Sequence, residues 1–179
     1  MTSEMRERAA DVDIRPWAEG DLPLLQRLLG DPAMTEYLGG PESPEKLAER
    51  HERYLTGGGC GAGEQFAIVV GPERAAVGWV GCWETEWRAR RVWEIGWSVL
   101  AEQQGRGIAA CAAAMLLARL RAVGRHRFTY AFPAVENTAS NAVCRNLGMT
   151  LVREVEIEYP PGHLMRSNEW RLDAREPEA

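Results

Sequence analysis

The chain has 179 residues, of which 45% are hydrophobic and 26% charged, so its length and composition are those of one globular domain with a full core. Its net charge of −5 does not favour a nucleic-acid partner. The longest apolar run, residues 108–118, is too short to cross a membrane, and the first thirteen residues lack the apolar segment of a secretory signal, so we expect a cytoplasmic protein.

The first half of the chain predicts a strand, two helices and then three strands. Residues 1–11 indicate a flexible N-terminus, followed by a strand over Val12–Arg15. Leucines recur at helical spacing over Glu19–Leu29, and Ser43 with Pro44 begins a second helix that runs to about Leu55. After the Gly-rich connector 56–64, we expect strands at Gln65–Val70, Ala75–Trp83 and Arg91–Leu100, with a polar excursion over Glu84–Arg90.

The second half alternates helices and strands. A helix is predicted over Ile108–Val123, where Gly124 ends it, and a second one over Thr138–Leu147, with Asn137 as its N-cap. Strands are expected at Arg127–Phe132, Thr150–Tyr159 and Glu169–Asp173, and residues 174–179 read as a disordered tail. This order predicts a single layered domain over residues 12–173, with a mixed sheet and helices on both faces.

The scarcity of lysine and the spacing of cysteine and histidine exclude several enzyme classes. Lys46 is the only lysine and follows no Gly-rich turn, so the chain has no P-loop. The four cysteines show no C-x-x-C spacing and the three histidines stand far apart, so we expect free thiols and no metal site.

The stretch between the third strand and the long helix is suited to binding an anion. Gly105 and Gly107 can adopt positive φ and carry no side chain that would block a phosphate. The first turn of the helix that follows leaves backbone N–H groups without partners at the positive end of the helix dipole. A plain Gly-rich turn without a ligand is the alternative that these residues leave open.

This stretch resembles a known family. The signature Q-x-x-G-x-[GA] of the GNAT superfamily of N-acetyltransferases stands here at residues 104–109. Residues 136–149 look like the family's N-x-x-S helix with its L-G-[FM] turn, and residues 93–99 are similar to the strand before the loop in ribosomal-protein N-terminal acetyltransferases. The resemblance covers nearly the whole chain.

The resemblance implies an α/β (α+β) GNAT-like fold, with a mixed, mostly antiparallel sheet of six to seven strands. Its central parallel pair, residues 91–100 and 127–132, would splay apart around acetyl-CoA, with no metal. Backbone groups would pair with the pantetheine arm, and loop amides would hold the diphosphate. The cofactor residues so implied are Trp97, Ser98, Val99, Leu100, Gln104, Gly105, Arg106, Gly107, Ile108, Ala109, Asn137 and Ser140.

Glu94 is the first choice of general base. Strict alternation puts Glu94, Gly96 and Ser98 on one face of their strand, where the carboxylate could reach a water beside small residues. A structural glutamate paired with Arg91 is the alternative interpretation. The N–H of Val99 would polarise the acetyl carbonyl.

Cys144 stands where many relatives carry the tyrosine that protonates the departing thiolate. It could donate a proton, or it could be a buried apolar cysteine. Trp83 and Trp87 flank Glu84 and could form a pocket for a cationic amine. Asn137 and Ser140 could contact the cofactor or simply cap their helix.

The function so implied is direct transfer of an acetyl group from acetyl-CoA to a primary amine. The acceptor could be a protein N-terminus or a small cationic amine, and the acyl length is open. A non-catalytic acyl-CoA-binding module of the same fold is the alternative. We expect neither nucleic acid nor membrane as a partner. A homodimer through a sheet edge or the last strands stays open.

Overall fold

The computed structural model describes residues 11–57 and 63–175. The predictions for residues 1–10, for Cys60 and for residues 176–179 lie outside the described residues. Within those ranges the chain forms seven strands and four α-helices: β1 Val12–Pro16, α1 Leu22–Leu29, α2 Pro44–Leu55, β2 Glu64–Val70, β3 Ala75–Trp87, β4 Arg90–Val99, α3 Ile108–Val123, β5 Phe128–Ala131, α4 Thr138–Asn146, β6 Thr150–Glu158 and β7 Leu164–Asp173. Short 3-10 turns, Glu19–Asp21 and Ala101–Gln103, precede α1 and follow β4.

All seven strands lie in one sheet, in the order β1-β2-β3-β4-β5-β7-β6. Every pair of neighbours is antiparallel except β4 and β5, which run parallel. The predicted fold class, a mixed and mostly antiparallel sheet with one central parallel pair, is therefore confirmed.

Helices cover both faces of the sheet, and the central strands contribute apolar side chains to a core on each face. On one face, α3 packs against β3 and β4 in a core that includes Trp93, Ile95 and Val99. On the other, α1 and α2 pack over Ala67 and Leu100. We call the second side the α1/α2 face. The alternation predicted for β4 is confirmed, and it leaves Glu94 and Gly96 on the α1/α2 face.

The ends of the helices follow their sequence signals. The hydroxyl of Ser43 accepts a hydrogen bond from the N–H of Lys46, with Pro44 in the first helical position. Gly124 ends α3 in the left-handed conformation, at φ 64°. No helix in the described ranges is long and apolar enough to cross a membrane.

Two strands extend beyond their predicted bounds by more than one residue. The prediction of a polar excursion over Glu84–Arg90 was wrong, because β3 continues to Trp87 and connects to β4 through Arg88 and Ala89. These two turn residues have φ values of 53° and 59°, as a tight hairpin requires. Likewise, β7 begins at Leu164 rather than Glu169, because it pairs along β6 as far as Glu158.

Candidate active site

The parallel strands β4 and β5 separate soon after they meet. Their ladder consists of two pairs, Trp93 with Thr129 and Glu94 with Tyr130. Beyond this point β4 continues for five residues that pair only with β3, while β5 ends at Ala131. One backbone edge of β4 is therefore left open beside a cleft. This is the splayed arrangement that the family resemblance implied.

The direction of each peptide group decides which residues of β4 have N–H and C=O groups that point into the cleft. The N–H of Leu100 donates to the carbonyl of Val77 at 2.9 Å, so it points to β3. Because successive peptide groups point to opposite edges of a strand, the N–H of Val99 points into the cleft. The same alternation turns the backbone of Trp97 to the cleft and that of Ser98 to β3. Of the four residues expected to pair with a pantetheine arm, Val99 and Trp97 have the required direction and Ser98 and Leu100 do not.

Gln104 fixes the end of this edge. Its side-chain amide donates to the carbonyl of Val99 at 2.9 Å and also contacts the sulfur of Met34 at 3.7 Å. The carbonyl of Val99 is thus occupied while its N–H stays available. Gln104 acts here through its side chain, a role that the signature alone did not show.

The loop before α3 is open at its glycines. Gly105 and Gly107 have φ values of 73° and 78°, and a Cβ at either would meet no atom within 4 Å. Gly107 is the N-cap of α3, no side chain caps this helix, and the first intrahelical bond runs from Cys111 to Gly107. The amides of residues 108–110 are therefore without intrahelical partners at the positive end of the dipole. Arg106 is exposed beside them.

These features fit a diphosphate. Donor amides, positive φ values and a nearby guanidinium are what a phosphate-binding helix N-terminus needs. The loop holds no side chain in the place that the ligand would take.

Glu94 lies at the point where β4 and β5 part. The carboxyl is half-buried, and burial raises its pKa to about 7, while a hydrogen bond from Trp83 lowers it by less. No ion pair joins Glu94 to a basic side chain in the described ranges. The expected structural partner, Arg91, instead lies 3.7 Å from Glu84. A carboxylate with a pKa near neutral is suited to accept a proton at physiological pH.

The pocket expected from Trp83, Glu84 and Trp87 does not form. Glu84 lies on the α3 side of the sheet, 2.6 Å from His126, and this hydrogen bond lowers the pKa of the carboxyl. Trp83 and Trp87 lie on the α1/α2 face, where the indole N–H of Trp87 donates to Glu169 at 3.1 Å. Because neighbouring residues of a strand point to opposite faces, Glu84 cannot share a pocket with either tryptophan.

Sequence reasoning missed an aromatic row on the α1/α2 face, formed by Tyr54, Trp79 and Trp83. Tyr54 stacks on Trp79 with ring centroids 5.5 Å apart and an angle of 8°. The rings of Trp79 and Trp83 both reach Gly96, where a Cβ would meet them at 3.3 and 3.2 Å. The spacing of the two tryptophans on β3 was the available signal, because residues four apart on a strand share a face.

A half-buried polar cluster lies at the far end of this row. Arg50 pairs with Glu42 through its Nε at 2.9 Å from Oε2 and through a second contact from Nη2. The hydroxyls of Tyr54 and Tyr159 each lie 3.5 Å from the same guanidinium. Burial raises the pKa of Tyr54 to about 12. Arg50 therefore joins α2, the loop before it and the segment between β6 and β7.

The start of α4 is built as a capped helix. The side-chain oxygen of Asn137 accepts from the N–H of Ser140 at 2.9 Å, so the capping interpretation is confirmed. Asn141, which the sequence did not single out, donates to the carbonyls of Ala134 and Asn137 at 2.9 and 2.8 Å. These bonds hold the loop between β5 and α4 at the mouth of the cleft.

Cys144 is fully buried in the core under α4. Burial raises the pKa of its thiol to about 12. A thiol with this pKa and without solvent contact is a poor proton donor to a departing thiolate. The structure therefore favours the interpretation of Cys144 as an apolar core residue over the expectation of a catalytic acid.

Comparisons with known proteins bear on what this site does. A family model described as an acetyltransferase (GNAT) domain matches residues 11–150. No curated protein sequence matches the chain significantly.

Solved structures share the fold at low sequence identity. A GNAT-family acetyltransferase from Bacillus anthracis has a TM-score of 0.75 at 20% identity, with 93% of this chain and 96% of that chain covered. Spermidine N-acetyltransferase from Vibrio cholerae, solved with CoA and spermine, has a TM-score of 0.75 at 18% identity, with 92% and 96% covered. The Salmonella typhimurium acetyl transferase that modifies the N-terminal serine of ribosomal protein L7/L12 has a TM-score of 0.75 at 20% identity, with 93% and 96% covered.

Proposed function

Since the protein belongs to the GNAT acetyltransferase family, we propose that it transfers an acetyl group from acetyl-CoA directly to a primary amine. The observation that carries the proposal is the fork between β4 and β5: Glu94 lies where the two strands part, and beyond it the backbone edge of β4 stays open as far as Val99. A proton acceptor and an amide donor thus lie along the same open stretch of β4.

The cleft and the loop before α3 supply the binding site for the thioester. The N–H of Val99 and the peptide groups of Trp97 extend a pantetheine arm as an added strand would. The amides around Gly105 and Gly107 take the diphosphate, with Arg106 as a nearby charge. In support, the spermidine N-acetyltransferase structure of the same fold was solved with CoA.

The reaction needs a neutral amine and a polarised carbonyl. Glu94 accepts, through bound water, the proton that the ammonium loses. The amine nitrogen then forms a bond to the acetyl carbon while the carbon–sulfur bond breaks. The N–H of Val99 donates to the carbonyl oxygen as negative charge develops there. Solvent protonates the departing thiolate, because burial holds the proton on Cys144.

Two classes of acceptor follow from the proteins that share the fold. One of those proteins modifies the N-terminal serine of a ribosomal protein, and another acts on spermidine. For this chain we propose a primary amine of either small or peptide origin. A module that binds acyl-CoA without turnover is the second candidate, and the observation that favours it is the inaccessible thiol of Cys144.

Two measurements on the purified chain test the proposal. Calorimetry with acetyl-CoA measures binding, and release of free thiol with a panel of amines and short peptides measures transfer. We expect saturable binding and thiol release that depends on the amine. Binding without release from any acceptor would support the binding module, and a chain that binds no acetyl-CoA would refute both functions.

A further inference from the structure

The aromatic row runs from Tyr54 on α2 to the part of β4 that carries the proposed base. Tyr54 stacks on Trp79, and the rings of Trp79 and Trp83 meet over Gly96. Trp83 is the cross-strand partner of Glu94 in the β3–β4 ladder. A molecule whose amine reaches Glu94 from the α1/α2 face therefore lies against indole rings.

The polar edges of the row are already engaged. The indole N–H of Trp79 donates to the side-chain oxygen of Gln65 at 2.9 Å. The hydroxyl of Tyr54 lies 3.5 Å from the guanidinium of Arg50. With these groups satisfied, the rings offer mainly apolar faces to a ligand. Apolar surface of this kind favours an apolar group over a hydrated one.

The charged side chains that the strands present on the α1/α2 face leave a counter-ion for one cation. The carboxylate of Glu42, at the far end of the row, is neutralised by Arg50. Glu169 is fully buried and receives hydrogen bonds from Trp87, Arg88 and Arg153.

Asp173, at the end of β7, is paired with Arg127 at 2.6 Å. Among the carboxylates that the described strands β3, β4, β5 and β7 present on the α1/α2 face, Glu94 is the one without a basic partner. Among these strand carboxylates, a second ammonium group would therefore find no unpaired one.

We propose that the acceptor is a primary amine with a single positive charge, whose ammonium group lies at Glu94 and whose aromatic or aliphatic group lies against Trp79 and Trp83. This inference rests on the proposed function and names its substrate class. Indole faces also attract cations, so a polyamine is the competing acceptor. The charges of the strands argue against it, because, of the carboxylates that the described strands β3, β4, β5 and β7 present on this face, Glu94 alone lacks a basic partner.

The test compares four amines on the unaltered chain under saturating acetyl-CoA. Phenethylamine and hexylamine carry one charge and an apolar group, spermidine carries several charges, and methylamine carries one charge without an apolar group. We expect kcat/KM for phenethylamine and hexylamine to exceed that for spermidine and methylamine by at least about tenfold. Equal or higher kcat/KM with spermidine would overturn the inference and leave the proposed function standing. Transfer to no amine at all would overturn both.

The variant Trp79→Leu tests the role of the aromatic row separately from the rest of the site. In Trp79→Leu, kcat/KM for phenethylamine should fall by about tenfold, whereas that for methylamine should change less than about twofold, because methylamine does not reach the row. Val123→Ala, an apolar truncation at an exposed position of α3, serves as the control and should change neither value. If Trp79→Leu lowers kcat/KM equally for phenethylamine and methylamine, the acceptor's apolar group does not lie against Trp79. The four-amine comparison uses the unaltered chain, so it tests the inference even if the variant does not fold.

Discussion

Replacing Glu94 with glutamine tests both the stability and the chemistry of the site. The folded chain holds a proton on Glu94 up to a pKa of about 7, against 4.5 for an ordinary glutamate. Because the native state then binds more protons than the unfolded chain, the unaltered protein loses stability as the pH rises from 4.5 to about 7. Each pKa unit corresponds to about 1.4 kcal/mol, so this loss amounts to at most about 3 kcal/mol.

The glutamine side chain does not titrate and escapes this loss. Glu94→Gln should match the unaltered chain in free energy of unfolding near pH 4.5. Above pH 7 it should exceed it by up to about 3 kcal/mol. Urea unfolding at pH 4.5, 6 and 8 measures the difference. Glu156→Gln, at an exposed position of β6, is the matched control and should show no pH-dependent difference.

The same variant should be more stable and less active. Without the carboxylate, kcat should fall by about 10²–10³-fold, and the rise of kcat with pH around 7 should vanish. Steady-state thiol release between pH 5.5 and 9 measures both. If the stability curves of the two proteins run parallel with pH, Glu94 is not the desolvated carboxyl described here. If kcat and its pH profile are unchanged, Glu94 does not act as the base.

Three further substitutions have distinct expected outcomes. Gly107→Ala places a side chain at positive φ beside the proposed diphosphate. It should cost about 1 kcal/mol of stability, measured by unfolding, and raise KM for acetyl-CoA about tenfold, measured by steady-state kinetics. An unchanged KM would show that the diphosphate binds elsewhere. Arg50→Met leaves the carboxylate of Glu42 without its partner, so we expect about 3 kcal/mol of destabilisation in a denaturant titration; a loss below about 1 kcal/mol would show that the pair is solvated. Cys144→Ala should lower stability by about 1–2 kcal/mol through a small cavity and leave the pH profile of kcat unchanged; a lost alkaline limb of that profile would restore the thiol as the acid.

Local patterns were sufficient for most of the secondary structure. The Ser43–Pro44 start and the Gly124 end are short-range signals, and the structure has both. The alternation along β4 also predicted the face of Glu94 correctly. In each case neighbouring residues decide the outcome, and the sequence contains all of them.

The predictions were wrong where the end of a strand depends on contacts with residues that are distant in the sequence. Residues 84–87 alternate as a strand does, but their charges suggested a loop. The structure gives Glu84 a partner in His126 and gives Trp87 a partner in Glu169, 42 and 82 residues away. Since spacing along the chain does not show these partners, the end of β3 and the substrate pocket proposed around it could not be placed correctly.

The site was predictable in its backbone and not in its side chains. The signature at residues 104–109 located the loop, and its glycines have the expected φ values. The pairing of Arg50 with Glu42 and the meeting of two indoles over Gly96 depend on the packing of α2 and β3. Sequence spacing can indicate which side chains share a face, as it does for the two tryptophans, but it does not show which groups across α2, β3 and β4 come into contact.

The two-pair ladder between β4 and β5 makes the sheet mechanically uneven. Seven strands with uninterrupted pairing would resist shear as one unit, but here few main-chain hydrogen bonds hold β1–β4 to β5–β7. Side chains such as Trp87 and Arg88, bound to Glu169 on β7, bridge this seam instead. Substitutions at Trp87 or Arg88 would therefore remove contacts that join the two parts of the sheet, while the core under α3, which both parts share, stays in place.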